Sequence, residues 1–359
     1  MEGKVYFSQR LDEVLFLDIK KEKLVDLFKI YLKEDVYMPI KSAQIIDSIK
    51  GGNTMEDIPL SFFIEGMFYV IGIDESFRYK DIYIEMLSNV PNSISFIKSL
   101  IFSEVKNEKY EDAYIFLKGL SYLEANVENY EKLFSLAENI RIKDKSFKEE
   151  ELSIIERAKL IEDFAAPFLY ESIIKREDGD FETAMYLLNT YISKGGEQTP
   201  VISEFHHSLK NIVDFERGKE LLYEDPDSAL KFLIPLLDEY GNDATLHYNI
   251  AVGYRILENY EKAIYYLNEA LTIDDALVEV VNELGINYAS LGDFDTAIKY
   301  LRKAFEATKS VEICTNLIMC YLNSGNVTQA KNHFDIAKKL DSNDEVVREL
   351  EQVFNKISL

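Results

Sequence analysis

The chain has 359 residues, with 64 Asp and Glu against 40 Lys and Arg, and a formal net charge of −24. That charge repels phosphate backbones and anionic membrane surfaces, so neither nucleic acid nor a membrane is an expected partner. An apolar content of 47% with only 15 Gly and 7 Pro excludes wholesale disorder and a turn-rich β fold, and points to long packed helices.

Residues 1–90 read as an N-terminal helical region. Met1 to Arg10 lacks a basic stretch followed by an apolar one, so no signal peptide is expected and cytoplasmic is the expected location. Val5-Tyr6-Phe7 reads as a short strand, and helices are expected near 20–34, 40–50, 58–73 and 78–88. The breaks fall at Met38-Pro39, Gly51-Gly52-Asn53 and Val90-Pro91. The most apolar stretch, Leu60 to Ile73, is interrupted by Glu65 and is too short to span a bilayer, so it reads as a buried helix. The region has 11 Lys and Arg against 16 Asp and Glu and no basic recognition helix, which argues against direct DNA binding.

Residues 91–209 carry degenerate helical hairpins. One possible unit holds Tyr110, Ala113 and Leu117. The segment Glu128-Asn129-Tyr130-Glu131-Lys132 repeats the letters of Glu258 to Lys262 and is expected to be a turn entering a helix. A further hairpin turns at Gly179-Asp180-Phe181, followed by Ala184, Leu188 and Tyr191.

Self-comparison gives a clear repeat from residue 244 onward. Ala263, Ala297 and Ala330 are spaced 34 and then 33 residues apart, and Ala229 extends the series backwards by 34. Each unit has two apolar-periodic helices, and where they cross closely one side chain must be small. Ala251 and Gly285 fit that need on the first helix, and the three alanines fit it on the second. Tyr254, Tyr288 and Tyr321 fill the space one turn further on. Gly292 and Gly325 suit a left-handed residue ending the first helix, and Asp293 and Asn326 can cap the next. The expected units are 210–243, 244–277, 278–310 and 311–343; the earliest has a polar first helix with Glu216 and Arg217. Residues 344–359 read as a capping helix whose face of Val347, Leu350 and Phe354 covers the last repeat.

This pattern resembles the tetratricopeptide repeat, whose signature is a small residue at the eighth position, Tyr at the eleventh, and Ala at the twentieth and twenty-seventh. Here those are Ala251, Tyr254, Ala263 and Ala270, then Gly285, Tyr288, Ala297 and Ala304, then Ile318, Tyr321, Ala330 and Ala337. The fourth position departs from the usual aromatic, being His247, Val281 and Cys314. The resemblance implies an all-α fold, a right-handed α–α superhelix of stacked hairpins behind the N-terminal helical region. It also implies a concave face built by the first helices. Carried over, that face is Thr245, Tyr248, Val252 and Arg255, then Glu279, Asn282, Ile286 and Ala289, then Glu312, Thr315, Met319 and Leu322. A subset of the family clamps a C-terminal carboxylate with Lys and Asn. Here Tyr248 and Val252 stand at those places, and Glu279 and Glu312 stand where cations would help, so the clamp is rejected. Asn249 and Asn316 are expected to hydrogen-bond between adjacent repeats.

Other chemistry is sparse. Glu204 and His207 make one Glu-x-x-His, where a di-iron bundle needs two. Asp178-Gly179-Asp180 lacks the remaining ligands of a calcium loop and reads as a turn. Cys314 and Cys320 lie six apart on one helix, on different faces, and read as buried thiols. Neither catalysis, a metal nor a cofactor is expected. The leading expectation is a non-catalytic scaffold that binds a protein or peptide through the concave face. The alternative is a peptide-sensing regulator whose N-terminal helices act on an effector protein. The partner and the oligomeric state stay open.

Overall fold

A computed structural model describes residues 6–50 and 58–357. The chain divides into two compact units, Met1–Ser203 and Glu204–Leu359.

In the first unit, strand β1 (Val14–Asp18) pairs antiparallel with β2 (Tyr37–Lys41), with Phe16 opposite Pro39. Both strands are edges, so Pro39, which has no amide hydrogen, is tolerated. Tyr6 and Phe7 lie in a turn rather than a strand, and Val5 falls outside the described residues. Helix α1 (Lys21–Phe28) is shorter than the 20–34 expected, because Lys29 takes a left-handed φ of 54° and donates its N–H to Val25 O. Helices α2 (Ser42–Lys50), α3 (Leu60–Ile73) and α4 (Lys80–Asn89) follow. The Gly51-Gly52-Asn53 break lies outside the described residues.

Helix α3 is buried almost all round, and two glycines explain how. A Cβ on Gly66 would sit 2.1 Å from Pro39 O, and one on Gly72 would sit 1.9 Å from Ile115 O. Thus β2 presses on one side of α3, and the backbone of α6 (Tyr110–Ser121) presses on the other. Around α6 lie α5 (Ser93–Lys106) and α7 (Val127–Lys143), followed by α8 (Lys148–Ala158), α9 (Ala166–Glu177) and α10 (Phe181–Ser193). Glu128 to Lys132 lie inside α7 rather than in a turn; the helix starts earlier because Asn126 caps it by accepting from Asn129 N–H at 2.9 Å. Arg141 of α7 is buried and tied to α8 through Glu151 at 2.5 Å and to α9 through Glu177 at 2.6 Å.

Helix α11 (Pro200–Leu221) runs into the second unit. Its partner is broken at Pro235 into α12 (Pro226–Leu233) and α13 (Leu237–Tyr240). Three hairpins follow: α14 (Ala244–Ile256) with α15 (Tyr260–Ile273), α16 (Val278–Ser290) with α17 (Phe294–Thr308), and α18 (Val311–Asn323) with α19 (Val327–Leu340). All three turns are alike. Gly292 and Gly325 take φ of 81° and 78°, and Glu258 holds the same place at 57°. In each, the next residue returns its N–H to the first helix, as Asp293 does to Tyr288 O at 2.9 Å, and then caps the second helix. The eleventh-position rings meet a ring on the second helix: Tyr254 on Tyr266, Tyr288 on Tyr300 and Tyr321 on His333. Gly285 lies against Leu301 and Ala297, and Gly218 lies in the same way against Leu233 and Ala229. Helix α20 (Glu345–Ile357) buries Val347, Leu350 and Phe354 on the last hairpin, with the Phe354 and Phe334 rings 4.9 Å apart.

Candidate binding face of the repeats

Helices α14, α16 and α18 each bury one side against their own second helix and another against a neighbouring hairpin. What is left is a strip at the second, fifth, ninth and twelfth positions of each repeat. Thr245, Glu279, Glu312 and Met319 are exposed there, and Tyr248, Arg255, Asn282, Ile286, Ala289 and Leu322 are half-buried. Two residues differ from the expectation. Val252, 2% exposed, is packed into the cluster of Leu222, Leu230 and Leu233. Thr315, 4% exposed, turns its hydroxyl back to Glu312 O at 2.7 Å. Both offer almost no surface to a ligand. Asn249 is also corrected: its amide donates to Thr245 O of its own helix at 2.8 Å, so it does not bridge repeats.

The strip is acidic at one end. Glu283 is only 8% exposed, and its Oε2 lies 2.7 Å from Arg255 Nε. The contact is a close ion pair. Burial pushes the Glu283 carboxyl above its ordinary range, Arg255 pulls it back, and the nearby Glu312 charge pushes it up again. Tyr248 is pushed up to about 12, first by burial and then by the charges of Glu283, Tyr223 and Glu279. Asn282 Oδ1 is buried without a donor. At the other end, Ile286, Ala289, Ser290, Asn316 and Met319 line a cavity of about 230 Å³ between α16 and α18.

Glu283 was missed by sequence reasoning. It is the sixth residue of its repeat, in register with Asn249 and Asn316, and the change from amide to acid was the available signal. A second groove was missed in the first unit. There α5, α6 and α7 line a cavity of about 360 Å³ with Ile101, Val105, Leu120 and Leu136, rimmed by Lys98 and Lys132. Its Phe102 is 72% exposed.

The remaining candidates are accounted for by packing. His207 Nε2 lies 2.7 Å from Glu239 Oε2, which also accepts from Asn211 at 2.8 Å. His247 is buried and within 2.9 Å of Gly241 O. Gly179 takes φ 79° in a turn, and Asp180 caps α10. Cys314 and Cys320 are buried and unbridged. Among the described residues, no group of three or more His, Cys, Asp or Glu is arranged to hold a metal ion.

Stacked two-helix hairpins with shared turns and ring pairs define a helical-repeat solenoid in the second unit. Residues 244–276 match one tetratricopeptide repeat family and residues 288–352 match another. The chain carries tetratricopeptide repeats over those residues. No curated protein matches the chain. Among solved structures, one titled as the MamA protein is 17% identical, covering 49% of this chain and 90% of that one at a TM-score of 0.38. TTC0263, a thermophilic TPR protein in Thermus thermophilus, is 18% identical over 51% of this chain and 95% of that one, TM-score 0.32. The first TPR of Spaghetti (RPAP3), bound to an HSP90 peptide, is 19% identical over 32% of this chain and 94% of that one, TM-score 0.31.

Proposed function

We propose that the protein is a non-catalytic interaction module that binds a polypeptide through the first-helix strip of residues 244–322. The observation that carries this reading is the strip itself. Three successive helices contribute accessible apolar side chains (Tyr248, Ile286, Met319, Leu322) beside polar ones, next to a cavity wide enough for a side chain. Such a surface suits an extended or helical segment with few anchors. No described helix is long and apolar enough to cross a membrane. Two buried unbridged thiols fit a reducing compartment, and we place the protein in the cytoplasm on that ground.

The test is partner capture from native lysate by the full chain, read by quantitative mass spectrometry. A strip variant, Ile286→Arg with Met319→Arg, is compared with a second-helix variant, Tyr265→Ala with Asp335→Arg. The reading expects at least one captured protein to be lost by the strip variant and kept by the other. An identical partner set for both variants and the unaltered chain would sink it.

A further inference from the structure

The strip on α16 and α18 has two chemically different ends. Glu279 and Glu312 are exposed near the starts of the two helices, and Glu283 lies one turn in from Glu279. Glu312 is close enough for its charge to act on Glu283, and Glu279 and Glu283 both act on Tyr248. Arg255 offsets one of these three charges, its guanidinium sitting against Glu283. Asn282 Oδ1 is a buried acceptor there without a hydrogen-bond donor. A guanidinium or ammonium group supplies what this end lacks, namely positive charge and donors. The other end is the cavity between Ile286 and Met319, and Met319 is 46% exposed. Glu279 and Ile286 are two helical turns apart, about 10 Å along the axis, which an extended segment covers in about three residues.

We infer that this groove takes a basic segment: a Lys or Arg against Glu279, Glu283 and Glu312, and an apolar side chain about three residues away in the cavity between α16 and α18. The inference rests on the proposed reading of the strip as the binding face and adds the chemistry of its partner. Exposed carboxylates at the mouth attract the cation, and Arg255, already paired with the buried Glu283, limits how far in it goes.

The test uses the full chain and four pools of fluorescein-labelled decapeptides, read by fluorescence polarisation. The first pool has Arg or Lys at one place and Leu, Met or Phe three residues on. The others replace the cation by Glu, the apolar residue by Ala, or both. The first pool should bind, and each replacement should weaken binding by about tenfold. Glu279→Lys with Glu312→Lys should weaken the first pool by about tenfold or more, and Ile286→Gln should do so through the apolar anchor. Glu306→Lys with Asp335→Lys makes the same charge change on the second helices α17 and α19 and should alter binding less than about twofold. Equal weakening by the two charge variants, or no binding of the first pool, overturns the inference. If the Glu-bearing pool binds as tightly and loses binding with Ile286→Gln, the strip still binds segments and only the cation preference fails. If pools bind but no strip variant alters them, the reading of the strip fails as well.

Discussion

Gly72→Ala should destabilise the first unit far more than Gly285→Ala destabilises the second, although each adds one methyl at a buried position. The Cβ at residue 72 would lie 1.9 Å from the backbone oxygen of Ile115, and ordinary contact begins near 3.4 Å. The two helices must therefore part by roughly 1.5 Å where they now touch, because a backbone carbonyl inside α6 cannot swing aside. A gap of about 0.5–1 Å already forfeits a quarter to a half of a contact's dispersion energy. The opposite side of the same interface is equally tight, with a Cβ on Gly119 falling 2.3 Å from Phe68 O. Overpacking costs about 1–3 kcal/mol where side chains can yield, so a cost of about 3 kcal/mol or more is expected here. The helix propensity of Ala returns only about 1 kcal/mol of it. At residue 285 the nearest atom is Leu301 Cγ at 2.5 Å, a side chain with other rotamers, and the nearest backbone atom is at 3.3 Å. Ala251 also carries this methyl at the same position of the preceding repeat. A change within about 1 kcal/mol is expected, since propensity and crowding nearly offset. Urea unfolding followed by circular dichroism and tyrosine emission measures both, as the chain has no Trp. A Gly72→Ala midpoint shifted no further than that of Gly285→Ala would refute the reasoning.

Glu258 holds a left-handed φ of 57° where the next two repeats have glycine, so Glu258→Gly should stabilise by about 0.5–1 kcal/mol in the same urea assay. Arg141→Met leaves Glu151 buried without its cation, and thermal unfolding should register a loss of about 3–5 kcal/mol. Burial pushes Glu151 from 4.5 up to about 7 against the pull of Arg141. The native chain thus keeps a proton that the unfolded chain has released, and stability contributed at this site falls as pH rises from about 4.5 to about 7. Glu151→Gln should flatten that part of the stability–pH curve; an unchanged slope would refute the assignment. Cys314 and Cys320 are both pushed up to about 11 by burial, so a thiol reagent at pH 8 should react slowly with the native chain and fully after urea unfolding.

The hairpins from residue 244 onward were legible because their spacing rests on glycine and alanine, which a close helix crossing demands. The earlier hairpin of α11 and α12 was harder for a local reason. Its small residue is Gly218, one place later than the repeat count puts it, so the count falls on Arg217 and the helix looks polar. The α5–α6 turn hid for another reason. Glu108 takes φ 60° and Lys109 returns its N–H to Glu104 O at 2.9 Å, the geometry of the later turns without their glycine. A charged residue in a left-handed turn leaves no compositional mark. The strands escaped because each is five residues long and Pro39 reads as a break, which holds for a central strand but not for an edge.

The candidate strip was half legible, and the reason lies in what a repeat consensus records. Consensus positions face a neighbouring hairpin, so their chemistry recurs, as it does for Ala263, Ala297 and Ala330. The second position of each repeat is exposed, so packing does not hold it constant: it is Thr245, then Glu279, then Glu312. Equal register does not give equal exposure either. Val252, Ile286 and Met319 all stand at the ninth position, yet Val252 is covered and Met319 is open. The difference comes from the hairpin before α14, whose Leu222 and Leu230 share a cluster with Val252 and also lie against Gly253. At the sixth position of α16 an acid, Glu283, stands where α14 and α18 carry Asn249 and Asn316, and the spacing alone gives no sign that Arg255 of the preceding repeat is seated on it.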